Sequence, residues 1–433
     1  MKRHFLWMFA LLALAGCASD GDDSIAALKP GLFASSEAPV FAPPTEGQVT
    51  TAEAAALAFC DSGVRRLPVV PAPGVLAVAE PFAGSRGCVA RQQEDLRAAL
   101  GLAVGDAFTG RRSALVVTLP QFSELVGALA QCARWNLNSG MVILVLCDRD
   151  IRFSTVRISP TSMMAATGLP NREAVPANIY REIQDGLATS EKFNLPFVIR
   201  LEIDELQRPV SYSRFAMPAY DRGFQRNVVS GILSPALAVY QDNVLAGKML
   251  GSGEAAVIPP GTPQVPAQLP ARFKPAFDLY VPAMSVLGAV KSGDMWVGSE
   301  GQVLGLFAFK PYDMVDAVGF DGSALPLAVR AWQNGRRPAT AVMNEHDFLR
   351  YGEAGLRAAA AEGVPVKLLL LNTGIPEASG ADPADSGQLD AILARVPAKV
   401  TRISFNQTKG ELSDTLKAKL ASPDPEVMVV DYR

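Results

Sequence analysis

Seven consecutive apolar residues, MVILVLC at 141–147, carry no polar alternation. A strand with one wet face reads apolar–polar–apolar. A run without that period is covered on both faces, which calls for helices on either side of a parallel sheet. The surrounding texture agrees. Helical patterns at 52–64, 92–107, 122–135 and 177–191 alternate with apolar strands at 67–70, 113–119, 141–147 and 196–203. After a Pro/Gly-rich stretch at 250–275, the rhythm resumes. Strands at 339–343, 364–372, 399–405 and 426–432 are separated by helices at 347–363, 387–396 and 411–421. Strand–helix alternation implies parallel sheets joined by right-handed crossovers. Two such blocks predict two similar α/β domains, at 49–215 and 276–433, joined by a linker region at 216–275.

Composition narrows the function classes. The 433 residues are 49% hydrophobic and 19% charged, which excludes a mainly disordered chain. The formal charge of −3 offers no basic excess for nucleic acid. His4 and His346 are the only histidines, so one chain cannot build a multi-His metal centre.

The first residues pair a basic Lys2-Arg3 with an apolar run, Phe5 to Leu14, too short to span a bilayer and right for a signal peptide. Leu14-Ala15-Gly16-Cys17 resembles a bacterial lipobox. The resemblance implies a signal peptide at 1–16, a lipidated Cys17 that joins the protein to the bilayer, and a tether at 17–48. Ala18, rather than Asp, implies outer-membrane sorting. Loss of Lys2 and Arg3 takes the mature charge from −3 to −5. Cys60, Cys88, Cys132 and Cys147 remain, with no CxxC spacing for a metal or an iron–sulfur cluster. Pairing of chain neighbours (Cys60–Cys88, Cys132–Cys147) and four buried thiols are both open in an exported protein.

Open α/β sheets bind ligands beyond the carboxyl ends of their strands. Here those ends carry Asn344-Glu345-His346-Asp347 and Asn372-Thr373-Gly374. Adjacent parallel strands would bring both loops to one edge, where oxygen ligands could hold Mg²⁺ and a diphosphate. Ordinary polar loop residues are the competing reading.

The segment 344–374 resembles the diphosphate-binding segment of thiamine diphosphate (TPP) enzymes. The texture is similar to the alpha subunit of indolepyruvate ferredoxin oxidoreductase and related 2-oxoacid oxidoreductases. Gly293-Asp294 and Asp321-Gly322-Ser323 fall at earlier loops of the same domain. In the first block, 52–64 with Val70-Pro71-Ala72-Pro73-Gly74, 93–116, 140–150 and 195–200 resemble the family's pyrimidine-binding domain. The resemblance implies Glu345 and Thr373 as metal ligands. It implies His346, Asn372, Gly374 and Asp294 as further cofactor-binding residues, and a homodimer.

The departures concern the chemistry. TPP needs a carboxylate against its pyrimidine ring to reach the ylid. The family's glutamate position falls on Leu96, and Glu94 lies two residues earlier as the alternative catalytic carboxylate. Glu345 replaces an Asp, Thr373 an Asn, and Asn344 and His346 replace small residues that admit phosphate. The family's ferredoxin-like cysteine cluster is absent. The expectation is therefore a tethered, catalytically degenerate TPP-type protein that acts as a binding or structural module. The alternative is a divergent TPP-dependent oxidoreductase or lyase acting on a 2-oxo acid.

Overall fold

The computed structural model describes residues 46–132, 137–148, 160–219, 295–299, 317–335, 339–372, 386–404 and 409–431. In the first half the strands are β1 (Glu46–Thr50), β2 (Arg66–Val69), β3 (Val89–Gln92), β4 (Ser113–Thr118), β5 (Met141–Cys147), β6 (Asn171–Glu173), β7 (Phe197–Glu202) and β8 (Pro209–Ser213). The helices are α1 (Thr51–Asp61), α2 (Val75–Ala83), α3 (Leu96–Phe108), α4 (Leu119–Cys132), α5 (Pro160–Ala166) and α6 (Ile179–Phe193). The second half contains β9 (Met295–Ser299), β10 (Ala317–Gly319), α7 (Ala324–Gly335) and β11 (Ala339–Asn344). One helical segment follows, made of α8 (Glu345–Asp347), a π turn (Phe348–Gly352) and α9 (Glu353–Ala361). β12 (Lys367–Asn372), α10 (Ser386–Leu393), β13 (Lys399–Ser404), α11 (Lys409–Leu420) and β14 (Glu426–Asp431) complete it.

The second sheet is wholly parallel, in the order β10-β9-β11-β12-β14-β13. The first holds a parallel ladder β4-β5-β7-β6, with the parallel pair β2-β3 alongside β4. Written by rank along each half, both orders read 2-1-3-4-6-5. The chain is thus two copies of one topology, as two blocks of strand–helix alternation predict. Among the described residues the exception to parallel pairing is the ribbon β1–β8, which joins the two ends of the first half.

Met141–Cys147 is buried at every position, as an unalternating run requires. α1, α2 and α6 cover one face of the first sheet with a core of their own. The other face shares one continuous core with the second sheet through α3, α4 and α7. Every residue of α3 from Ala98 to Phe108 is buried, the mark of a helix packed all round. An apolar junction of this kind holds the domains in one orientation.

α3 and α7 run parallel across that junction at a constant offset of 225 residues. Gly101 meets Pro326, Gly105 meets Arg330, and the Asn334 amide donates to Thr109 Oγ1 at 2.6 Å. Contacts every fourth residue match interdigitating i±4 ridges. The glycines let the backbones close: a Cβ on Gly101 would lie 2.8 Å from Pro326 Cβ.

All four described cysteines are free and buried. The neighbour pairing Cys132–Cys147 is overturned by topology. α4 starts at the carboxyl edge of β4 and returns to the amino edge, so Cys132 lies near the start of β5. Cys147 ends β5, about 20 Å away at ~3.3 Å per residue, and a disulfide tolerates less than 7 Å between Cα atoms.

Candidate functional site

In a 2-1-3-4-6-5 sheet the connections leave in opposite directions from strand one, which opens a crevice between strands one and three. In the second sheet that crevice lies between β9 and β11. β9 ends in Ser299 and β11 in Asn344. Asn344 is an N-cap in extended conformation, and its side chain accepts the Asp347 amide at 2.8 Å. The cap folds Asp347 back over the strand end, where Ser299 Oγ donates to Asp347 Oδ2. Asp347 is buried, and burial pushes its carboxyl up to about 7 against the opposing pull of Ser299. Asp321 adds to the rise, while the Gly322 amide and Arg97 work against it. Asp347 Oδ1 is buried without a hydrogen-bond partner, which suits a carboxyl held near neutrality.

Side chains from the first domain close over this crevice. The Arg97 guanidinium of α3 donates to the Asp321 carbonyl and the Tyr351 hydroxyl, both at 2.8 Å, and lies 4.5 Å from the Tyr351 ring centroid. Gln131 of α4 donates to Asp321 Oδ2 at 3.3 Å and accepts the Asp321 amide at 3.2 Å. Tyr351 sits in the π turn, where one extra residue per turn re-aims side chains. It packs on Gly322, whose φ of +86° suits glycine and where a Cβ would lie 2.7 Å from Tyr351 Cγ. The matching crevice of the first sheet, between β2 and β4, is spanned by Gln121. Its amide donates to the Val70 carbonyl at 3.3 Å and accepts the Thr118 amide at 3.0 Å.

The residues singled out in the sequence separate into three places. Glu345 is fully buried and His346 nearly so. β11 and β12 are adjacent and parallel, with Asn344 opposite Leu371, so Asn372 ends at the same sheet edge. Its amide donates to Asp431 Oδ1 at 2.6 Å, and Asp431 also holds Arg402 at 3.0 Å. Glu94 lies elsewhere. It precedes α3, its side chain is 56% exposed, and it sits 4.0 Å from Arg357. It lines a cleft of about 620 Å³ with Gln93, Arg350, Arg357, Arg395 and Pro397, a lining without Glu345 or Asn372. Leu96, the first residue of α3, packs against the core, and Asp95 is spent as N-cap, accepting the Ala98 amide at 2.6 Å. Cys17, Asp294, Thr373 and Gly374 lie outside the described residues.

Asp347, Ser299, Arg97 and Gln121 escaped the sequence reading. For Asp347 a signal existed: Asn-x-x-Asp directly after an apolar strand is a capping pattern. Ser299, Arg97 and Gln121 acquire their roles from long-range pairing.

The resemblance of 344–374 implies TPP with Mg²⁺; of the residues it implies, Glu345, His346 and Asn372 are described, Glu345 is fully buried and the Asn372 amide is held by Asp431. Among the described residues no three His, Cys, Asp or Glu side chains converge in a way that could hold a metal. The β9–β11 crevice, next to the strand ends at Asn344 and Asn372, holds the buried Asp347 carboxyl with Asp321 beside it.

Comparisons with known proteins place the fold. No protein-family model matches the chain, and no curated protein matches its sequence. An X-ray structure from Mycobacterium smegmatis, provisionally assigned as a thiamin diphosphate-dependent enzyme, superposes with a TM-score of 0.61 at 14% identity. The match covers 88% of this chain and 99% of that one. The chain therefore has a TPP-enzyme-like α/β fold with mainly parallel sheets.

Proposed function

We propose that this chain is a lipid-anchored module with a TPP-enzyme fold that has given up cofactor chemistry and works as a binding or structural module. The observation that carries the reading is the Asp347 carboxyl lodged with Ser299 in the β9–β11 crevice. The Asp347–Ser299 pair already fills the crevice from within, and Asp321 beside it would repel a diphosphate in a low-dielectric setting. Leu96 supports the same reading, because an apolar side chain cannot hydrogen-bond a pyrimidine nitrogen. Anchoring through Cys17, outer-membrane sorting and a homodimer belong to the proposal on the strength of the sequence.

The second reading, a TPP-dependent oxidoreductase or lyase acting on a 2-oxo acid, has the fold likeness in its favour. Calorimetric titration of the full-length protein with TPP and Mg²⁺ separates the two. The proposal expects no saturable heat and no decarboxylation of 2-oxo acids with an artificial electron acceptor. Robust TPP-dependent turnover that is lost in Glu94→Gln would overturn it and make Glu94 the activating carboxylate.

A further inference from the structure

The C-terminal turn of α1 and the start of β3 bring two thiols together. α1 is capped by Ser62, and the chain reverses through Gly63 at φ +90°. The Val64 amide returns to the Phe59 carbonyl at 3.0 Å. β2 and β3 then pair in parallel, with Arg66 opposite Val89 and the Val89 amide donating to the Arg65 carbonyl at 2.8 Å. That register sets Cys88 beside Arg65 and beneath the end of α1. Arg65 Nη1 binds both sides of the junction, 3.2 Å from the Cys60 carbonyl and 3.9 Å from Cys88 Sγ. Cys88 Sγ lies 3.6 Å from the Val64 carbonyl, and Cys60 Sγ lies 3.9 Å from the Phe82 carbonyl. The two thiols lie against one another at this junction, each influencing the other's titration, and both are buried.

We propose that Cys60 and Cys88 are an oxidisable pair that closes into a disulfide, clasping α1 to β3, while Cys132 and Cys147 stay reduced. The partner reagent is a protein or small-molecule disulfide of the thiol-exchange class. The two thiols differ in a way that orders the exchange. The neighbouring Cys60 thiol, with help from Arg65, holds the Cys88 thiol below its ordinary range, whereas burial pushes Cys60 up. Cys88 thiolate attacks one sulfur of the reagent, forms a mixed disulfide and expels the other sulfur as a thiolate. Cys60 then loses its proton and attacks the Cys88 sulfur, which releases the second reagent sulfur. Two protons leave the pair, two electrons pass to the reagent, and the reagent ends as two thiols. Both sulfurs are buried, so the reagent reaches Cys88 through local opening of the α1–β3 junction.

The test uses full-length protein, reduced with excess dithiol, desalted and equilibrated in a glutathione redox buffer. Free thiols are then blocked with N-ethylmaleimide under denaturing conditions. The buffer supplies the oxidant, so the result does not depend on the export reading. Expected is a loss of the mass of two hydrogens, one cross-linked peptide containing Cys60 and Cys88, and alkylation at Cys132 and Cys147. Cys88→Ser should abolish the cross-link and create no other. A Cys60→Ala/Cys88→Ala protein should keep the wild-type circular dichroism, which separates pairing from folding. Alkylation of both Cys60 and Cys88 after oxidation, or a cross-link involving Cys132 or Cys147, would overturn the proposal, whatever the state of Cys17.

Discussion

Gly105 and Arg330 touch across the domain junction: a Cβ built on Gly105 would lie 2.9 Å from Arg330 Cβ and 3.4 Å from Leu327 Cα. Neither neighbour is the free end of a flexible chain, so the backbones must part to admit a methyl group.

Gly105→Ala should therefore destabilise the protein by about 1–3 kcal/mol, the usual range for overpacking. The sign is informative, because Gly→Ala in an unconstrained helix interior stabilises by ~1 kcal/mol. Gly127 in α4 has open space around its Cα and serves as the control; Gly127→Ala should raise stability. Urea denaturation of both variants checks the pair. Stabilisation by Gly105→Ala would show that α3 and α7 do not pack this closely.

The same contact delivers Arg330 into a buried ion network. Its guanidinium lies 3.1 Å from Asp106 and 3.0 Å from Glu362, with all three side chains at 5% exposure or less. Arg91 approaches Glu362 and Arg66 approaches Asp106, each at 3.6 Å. Burial alone would raise the Glu362 carboxyl, but Arg330 and Arg91 together hold it below its ordinary value. Arg330→Met leaves Asp106 and Glu362 buried with only the longer Arg66 and Arg91 pairs, and should cost up to about 3–5 kcal/mol. Arg395→Met removes only an exposed pair with Glu353 and should leave the urea midpoint unchanged. Equal midpoints for the two variants would dismiss the network.

Much of this fold was legible because its periodicities are local. The unalternating Met141–Cys147 and the strand–helix rhythm already imply parallel sheets and two similar halves. β3, β6 and the β1–β8 ribbon were not legible, since they are short and their pairing partners are remote in sequence. The adjacency of Glu345 and Asn372 at one sheet edge followed from spacing, but burial of Glu345 and the turn of Asn372 toward Asp431 did not. Those depend on which side chains fill a crevice first. Here a cap, Asn344, and a serine one strand away decide it.

Lipidation rests on Leu14-Ala15-Gly16-Cys17 and is tested apart from the fold. Cys17→Ala, or globomycin treatment of the wild type, should leave an unprocessed precursor. The wild-type protein should partition with membranes and release a diacylglyceryl-modified N-terminal peptide. Unchanged processing of Cys17→Ala would remove the anchor and with it the outer-membrane assignment.

The buried carboxyl of Asp347 should leave a signature in the pH dependence of stability. Its ordinary value is 3.8 and burial lifts it to about 7. Between those values the folded chain holds a proton that the unfolded chain has released, so stability falls as pH rises. The slope reaches ~1.4 kcal/mol per pH unit for one proton. Its stabilising contribution is complete below pH 4 and is lost as pH passes through 7. Asp347→Asn keeps a neutral side chain of the same shape that can still meet Ser299, and it has no proton to lose. The stability of the variant relative to wild type should therefore climb between pH 4 and 7, by roughly 4 kcal/mol from the same linkage, and stay level above. Urea titrations at half-unit pH steps would measure it. A difference that does not change with pH would mean that Asp347 is ionised in the fold. The crevice between β9 and β11 would then be wet and open to ligands rather than closed by its own carboxyl.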